Sequence, residues 1–517
     1  MERIHLKRCI SRSLATAAAL NKYGVQGKRC YSLKNCASWI ISDLAIWMAG
    51  GVSVPFLPTY SQETLQKIIV HSDVSVIFCG KLDNWKSIQK IIPENLLCIH
   101  YPDFPLEGTT SWNDFINNNP NHNFTPIKRK PEELATITYT SGSTGAPKGV
   151  MHNFAALSFT GVNVASYFSS PDNNRNISYL PIGHVAERAL NELAPIYAHD
   201  NVSFVETQES FSRNIQEVEP NVFLAVPRIW HKLQAQILKQ IPQKKLSVLL
   251  AIPIVSGIIK KKIKKKMGLL KARYYITGTA PIAPSLVEWF GKLDILIRDG
   301  YGMTETFAYA YFSLQEKVKQ GSVGQPLKGV ETKLSPTGEL LIKSPSNMMG
   351  FYKCPEMDKD AFEGDYIKTG DLARFDEENY AYITGRCKEI FKTAKGKYIV
   401  PVHLESKLLQ SNLIENVCVM GSGLEAPYAF INLSEERNNR EEKEITDELA
   451  SFLINVNKQL ESHEKISKVL ISAEVWTIEA GFLTPTLKIK RSELEKFYEP
   501  KLLKIKDTPG RVLFLTA

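Results

Sequence analysis

From residue 134 to residue 298 the apolar positions alternate between two spacings. Short, mostly apolar runs at 134–138, 177–180, 202–205, 222–226, 273–277 and 295–298 read as buried strands. Stretches at 151–168, 186–197, 213–218, 229–240 and 285–292 place apolar residues three and four apart and read as helices. The alternation begins earlier, with an apolar helix running into a strand over 37–54, a helix over 62–71 and a strand over 74–79. Such alternation predicts a large α/β domain of mostly parallel sheets with flanking helices, and ligands then gather at the carboxyl ends of the strands. After Gly321 the pattern shifts to short strands around Ser335-Pro336-Thr337-Gly338, which predicts a small antiparallel β subdomain. Beyond Arg386 a smaller α+β unit is expected, with a hairpin at 394–397 and helices over 402–410 and 444–461. A chain of 517 residues is too long for one core, so two or more domains are expected.

One stretch carries chemistry that the alternation does not explain. Tyr139-Thr140-Ser141-Gly142-Ser143-Thr144-Gly145-Ala146-Pro147-Lys148-Gly149-Val150 follows the strand at 134–138 and precedes the helical spacing at 151–168. Its glycines let the backbone turn tightly and bring N–H groups close to a polyanion. Thr140, Ser141, Ser143 and Thr144 add hydroxyl donors, and Lys148 adds a mobile positive charge. The stretch reads as a phosphate cradle in a strand-loop-helix setting. It is not the common nucleotide loop, because Pro147 stands where that pattern has its second glycine and Gly149 follows the lysine.

Further motifs follow in order: Tyr179-Leu-Pro-Ile-Gly-His184-Val-Ala-Glu-Arg188, Val226-Pro-Arg-Ile-Trp230, Thr277-Gly-Thr-Ala-Pro281, Asp299-Gly-Tyr-Gly-Met-Thr-Glu305, Thr369-Gly-Asp371, Gly385-Arg-Cys-Lys-Glu389 and Thr486-Leu-Lys488. Together with the cradle they resemble the adenylate-forming superfamily of acyl- and aryl-CoA synthetases, luciferases and peptide-synthetase adenylation domains. The wording around His184 and Trp230 is most similar to the long-chain fatty acyl-CoA synthetase branch. The resemblance implies a large AMP-binding domain over 1–385, with a shortened first lobe, a hinge at 386–388 around Lys388, and a mobile lid domain over 389–517.

It also implies a reaction and roles. A carboxylate attacks the α-phosphate of ATP, giving an acyl adenylate that coenzyme A then resolves to acyl-CoA, AMP and pyrophosphate. The cradle residues Thr140, Ser141, Gly142, Ser143, Thr144, Gly145 and Lys148 would hold the phosphates. Thr144 and Glu305 would hold Mg2+, which suits phosphate oxygens with one or two protein ligands. Tyr301 would stack on adenine, with Gly278 lining its other side; Asp299 would accept from the adenine amino group; Gly300, Gly302 and Thr304 complete that loop. Asp371 would take the ribose hydroxyls and Arg386 the ribose or α-phosphate. Lys488 would bridge carboxylate and α-phosphate, with Lys490 a nearby competitor. Gly396, in the hairpin, would leave room for the thiol arm of coenzyme A after the lid turns. Trp230 reads equally as a gate to the acyl tunnel or as core, and His184 as lining the acyl junction or as a structural histidine.

Bulk properties change the picture in few places. With 44% apolar and 23% charged residues the composition is that of a globular protein. The net charge of +9 is concentrated at Lys260-Lys-Lys-Ile-Lys-Lys-Lys266, after an apolar run at 246–259 too short to span a bilayer. Residues 246–266 read either as a peripheral contact for anionic lipid or as a surface helix with a solvated lysine face. Eight cysteines without a C-x-x-C pair read as free thiols of a reducing compartment, so a cytoplasmic location is expected, with any membrane contact on the inner surface. The first twenty residues superficially suggest a targeting peptide and are read as a helix of the folded domain, the start being truncated or its lobe reduced. The expected partners are medium- to long-chain fatty acid, ATP and CoA; no nucleic acid is expected, and a homodimer is left open. Two other readings stand: an acyl-AMP ligase loading a carrier protein, and a catalytically silent acyl- or nucleotide-binding relative.

Overall fold

The computed structural model describes residues 6–24, 28–32, 35–57, 59–80, 82, 85–141, 147–168, 174–207, 209–314, 318–434, 440–478, 480–484, 488–505 and 508–515. Two large sheets carry the first domain. In the first, Lys28–Ser32, Val52–Phe56, Val74–Cys79 and Leu97–His100 run parallel, and Leu134–Ser141 joins them beside Val52–Phe56. In the second, Asn201–Phe204, Arg175–Ser178, Val222–Leu224, Tyr274–Gly278 and Ile297–Tyr301 are parallel, and two short antiparallel strands, Tyr311–Phe312 and Gln325–Pro326, extend its edge. Glu331–Leu334, Glu339–Lys343, Phe362–Glu363 and Tyr366–Phe375 form a third, antiparallel sheet, and Ala381–Arg386 pairs with Tyr366–Phe375. Past a turn at residues 387–389 the small domain packs helices Pro401–Leu408 and Glu442–Lys458 on a mixed four-stranded sheet.

Three local outcomes differ from the sequence reading or refine it. The start of the chain is a helix, Leu6–Lys22, whose Ala17, Ala19 and Leu20 are fully buried against the first sheet's helices. Residues 151–153, expected at the start of a helix, instead end the strand Pro147–Asn153, antiparallel to Leu134–Ser141 with Thr140 opposite Lys148. Val150 and His152 both point into the core, a spacing of two that only a strand satisfies. The described ends of the cradle are therefore paired antiparallel strands, and the helix Phe154–Phe168 begins only afterwards. Finally, the expected helix at 186–197 contains a π-helical turn, Ala189–Leu193, between Val185–Arg188 and Ala194–Ala198.

A fully buried ionic cluster ties the two sheets together. Arg188 is fully buried; its Nη2 donates to Asp43 at 2.6 Å, its Nε to Glu192 at 2.6 Å and its Nη1 to the Thr136 hydroxyl at 2.8 Å. The rings of Trp39, Trp47 and Phe307 surround the guanidinium at 5.4, 5.9 and 5.8 Å. Asp43 comes from the helix Ala37–Met48, Thr136 from the first sheet, and Arg188 and Glu192 from the segment that enters the second.

Candidate active site

A cavity of about 2630 Å³ opens between the two domains at the carboxyl ends of the second sheet's strands. Strand Ile297–Tyr301 lies parallel to Tyr274–Gly278, with Gly300 opposite Gly278, and delivers Asp299, Gly300 and Tyr301 to the cavity wall. Gly302, Thr304 and Glu305 follow in the next turn. Gly302 has a packing reason to be glycine, because a Cβ there would meet the Ala308 backbone at 2.5 Å. Thr140 and Lys148 enter from the hairpin, and His184 from the start of Val185–Arg188. From the third sheet and the turn after it come Asp371, Arg386 and Lys388; from the small domain comes Lys488. Ser141 ends its strand, but its side chain lies outside the described residues, as do Gly142, Ser143, Thr144 and Gly145.

The centre of the site is held by hydrogen bonds. Asp371 is buried, its Oδ2 accepting from the Tyr301 hydroxyl at 2.6 Å and its Oδ1 from Arg386 Nε at 2.9 Å. A carboxylate has about four acceptor positions, so roughly two stay free for a ligand hydroxyl pair. Burial and then the Asp371 carboxylate push the Tyr301 phenol well above its ordinary range, so it acts as a donor at neutral pH. Glu305 is raised by burial, against the pull of Arg386 and Lys148. Desolvation in the cavity lowers Lys488, and Arg386 lowers it further, while Asp371 and Glu305 act in the other direction. Burial and the charge of Lys488 take His184 down to about 4. Its Nδ1 accepts from the Ala186 N–H at 3.3 Å, which leaves Nε2–H as a donor of a neutral ring.

Lys488 is bonded back to Thr484: its N–H donates to the Thr484 hydroxyl at 3.0 Å, and its carbonyl accepts from the Thr484 N–H at 2.7 Å. Lys490 also lines the cavity, but the fields of Asp371, Glu305 and Arg386 act on Lys488. Three residues on, Arg491 ties this segment down. It reaches Glu405 at 2.5 Å, the Val419 carbonyl at 2.5 Å and, at 3.5 Å, Glu389 in the turn that joins the domains. No sequence signal marks Arg491 apart from its closeness to the lysine motif. Across the domain boundary Arg228 pairs with Glu415 at 2.8 Å.

Burial pushes Asp299 up to about 8, opposed by the Gly300 N–H. It is therefore mostly protonated at neutral pH in the free protein, an acid with one donor and one acceptor oxygen, the latter being the one that the acceptor role implied by the resemblance would use. Its folded value lies above its unfolded one, so the stability that it contributes is full at low pH and declines as pH rises through about 8. Asp299→Asn is expected to unfold at higher temperature than wild type at pH 8, the difference shrinking towards pH 4; equal melting temperatures at pH 8 would contradict this.

Two expected site residues lie elsewhere. Trp230 is fully buried and does not reach the cavity: Phe223 and Phe290 pack edge-on against it at 5.4 and 5.1 Å. In this structure it is a core residue rather than a gate, held by the cluster that seats the helix Pro227–Gln240. The apolar wall is instead made by Val164, Phe168, Leu190, Leu224, Ile276 and Phe312. Their signal was indirect: Val164, Phe168, Leu190, Leu224 and Ile276 lie on helices or strands with no motif to single them out, and Phe312 lies on none of the elements read from the sequence. Gly396 is exposed at the hairpin tip with φ +76°, a left-handed turn position that accounts for the glycine locally.

Residues 9–352 match the family model of AMP-binding enzymes, and residues 388–505 that of the AMP-binding enzyme C-terminal domain. Fatty acyl-CoA synthetase A of Dictyostelium discoideum is 27% identical over 541 residues, covering 90% of this chain and 80% of that protein. The peroxisomal long chain acyl-CoA synthetase 6 of Arabidopsis thaliana is 27% identical, covering 90% of this chain and 75% of its own length. Among solved structures, an anthranilate CoA ligase in complex with anthranoyl-AMP superposes with a TM-score of 0.78 at 20% identity, covering 96% of this chain and 92% of its own. ATP-bound MatB from Rhodopseudomonas palustris gives 0.76 at 22% identity, covering 96% and 94%. At these identities the structural likeness speaks for the fold. The first family model spans more than half of the chain, and with the cavity described above it makes this protein a member of the AMP-binding enzyme family, an adenylate-forming ligase.

Proposed function

We propose that the protein joins medium- to long-chain fatty acids to coenzyme A through an acyl-AMP intermediate, releasing AMP and pyrophosphate. The observation that carries this reading is the convergence of Lys148, Glu305, Asp371, Arg386 and Lys488, from both domains, on one cavity with an apolar wall. A site that only bound a nucleotide or a lipid would have no use for a lysine presented to these carboxylates by a separate domain.

In this reading Asp371, fixed by Tyr301 and Arg386, accepts the ribose hydroxyls, and the Tyr301 ring takes one face of adenine. Lys148 meets the phosphates. The fatty acid lies along the Phe168, Leu190 and Phe312 wall, its carboxylate near His184. The neutral His184 ring donates from Nε2 without adding charge. Lys488 meets the carboxylate oxygen and the α-phosphate and neutralises charge as phosphorus becomes five-coordinate.

Glu305 suits the Mg2+ that the family implies. Its carboxylate faces the cavity, and burial disfavours its charge until a cation stands beside it. With Thr144, it would share that ion with phosphate oxygens, and the ion would draw negative charge from the leaving pyrophosphate.

The test is pyrophosphate exchange into ATP with acids from acetate to oleate, followed by product analysis with free coenzyme A. Exchange rising with chain length, and acyl-CoA as product, is expected. Exchange without thioester would move the acceptor to a carrier protein; no exchange with any acid would overturn the ligase reading.

A further inference from the structure

Between Glu219 and Glu288 the chain has no acidic residue and thirteen lysines or arginines, more than its whole net charge of +9. The middle of this stretch is a helical hairpin, Gln243–Ala251 and Pro253–Lys266, anchored at its base by the buried Leu246, Ile263 and Met267. Its tip is bare. Ile254 is 82% exposed, Val248 and Ile258 each 63% and Ile252 47%, the largest concentration of exposed aliphatic side chains among the described residues.

Charge is placed around that tip in a regular way. On the second helix Ile254, Ile258, Lys261, Lys262 and Lys265 share the exposed face, with Ile263 on the opposite, buried one. At about 1.5 Å per residue Lys261 stands roughly 10 Å above Ile254. The first helix repeats the order in reverse, with Lys244 and Lys245 at the base and Val248 nearer the tip. Lys260 is taken by Asp294 at 2.8 Å and Lys266 by Gln240 at 2.5 Å, whereas no carboxylate is recorded beside Lys261, Lys262 or Lys265 among the described residues.

We propose that this hairpin docks the enzyme on an anionic lipid bilayer, the isoleucine tip entering the acyl boundary and the lysines lying at headgroup level. An aliphatic tip about 5–10 Å deep below a ring of unpaired cations is the geometry that an interface of this kind accepts. Whole helices need not cross the bilayer, and no described helix is long and apolar enough to do so. The inference is independent of the acid that the enzyme activates.

The experiment is co-sedimentation of the full chain with vesicles of phosphatidylcholine, with and without about one third phosphatidylglycerol. Wild type is expected to bind the anionic vesicles on the order of 100-fold more tightly, and added salt weakens the binding. Lys261→Glu/Lys262→Glu/Lys265→Glu is expected to abolish the preference. Ile254→Glu/Ile258→Glu is expected to lower binding at least about tenfold. Adenylation of a soluble short-chain acid by both variants should match wild type, which shows that they fold. Equal binding to neutral and anionic vesicles would overturn the proposal. So would full binding by the isoleucine variant, which would leave only a diffuse polycation, or a dimer that the isoleucine variant dissociates in a chain that ignores vesicles.

Discussion

Replacing Lys488 with alanine is expected to lower acyl-adenylate formation by about 10²–10³-fold, the usual loss when one preorganised donor to a developing oxyanion is removed. The ammonium is presented to the same cavity as Glu305 and Asp371, and Arg386 repels it. Desolvation in the cavity and that repulsion disfavour its charge, and a triphosphate with a carboxylate would reverse the balance. The charge is therefore most stabilising when the reacting groups carry most negative charge, which is the condition for lowering a barrier rather than only tightening binding. ATP affinity should change much less than the rate. Pyrophosphate exchange reads the first half-reaction; conversion of preformed acyl-AMP and coenzyme A reads the second, and it should keep most of its rate in the variant. A collapse of exchange in Lys490→Ala with Lys488→Ala unaffected would transfer the role to Lys490.

The largest expected loss of stability is at Arg188. Arg188→Met would leave Asp43 and Glu192, both fully buried, without their shared cation, and removing one partner of such a cluster typically costs about 3–5 kcal/mol. The large domain should therefore melt several degrees lower. Adding Asp43→Asn and Glu192→Gln should recover part of the loss, because the buried charges are then gone. A single guanidinium cannot neutralise two carboxylates away from water: burial first, with Asp43 adding to it, holds the Glu192 carboxyl well above its ordinary range. The stability that this proton supports is full at acid pH and declines as pH rises towards the folded value. An unchanged melting temperature in Arg188→Met would mean that aromatic packing alone holds the two sheets.

The sequence made the alternation of the second sheet legible because its parallel strands are short, mostly apolar runs, as at 222–226 and 295–298. It was misleading at 151–153, where Met151 satisfies helical spacing with Phe154 and Ala155, while Val150 and His152 satisfy a spacing of two. Pairing with Leu134–Ser141 decides that contest, and pairing is not a local property. Site residues inside fixed motifs, such as Asp371 and Glu305, were legible by position. The apolar wall was not, since a Leu190 or Ile276 that lines a cavity looks like one that fills a core. Asp43 did leave a trace: it is the lone charge in the apolar helix Ala37–Met48. Nothing local told which cation it would meet, because Arg188 lies 145 positions away.

Arg491 couples two places that would otherwise move separately. The segment bearing Lys488 is fastened through Glu405 to the small domain's helix and through Glu389 to the junction between domains. In the proposed reaction that fastening should make the departure of the lysine and a rotation at the junction a single step, like a crank. Loosening that linkage would let the two slip out of phase, so that an adenylate already made could wait beneath a domain that has not yet turned.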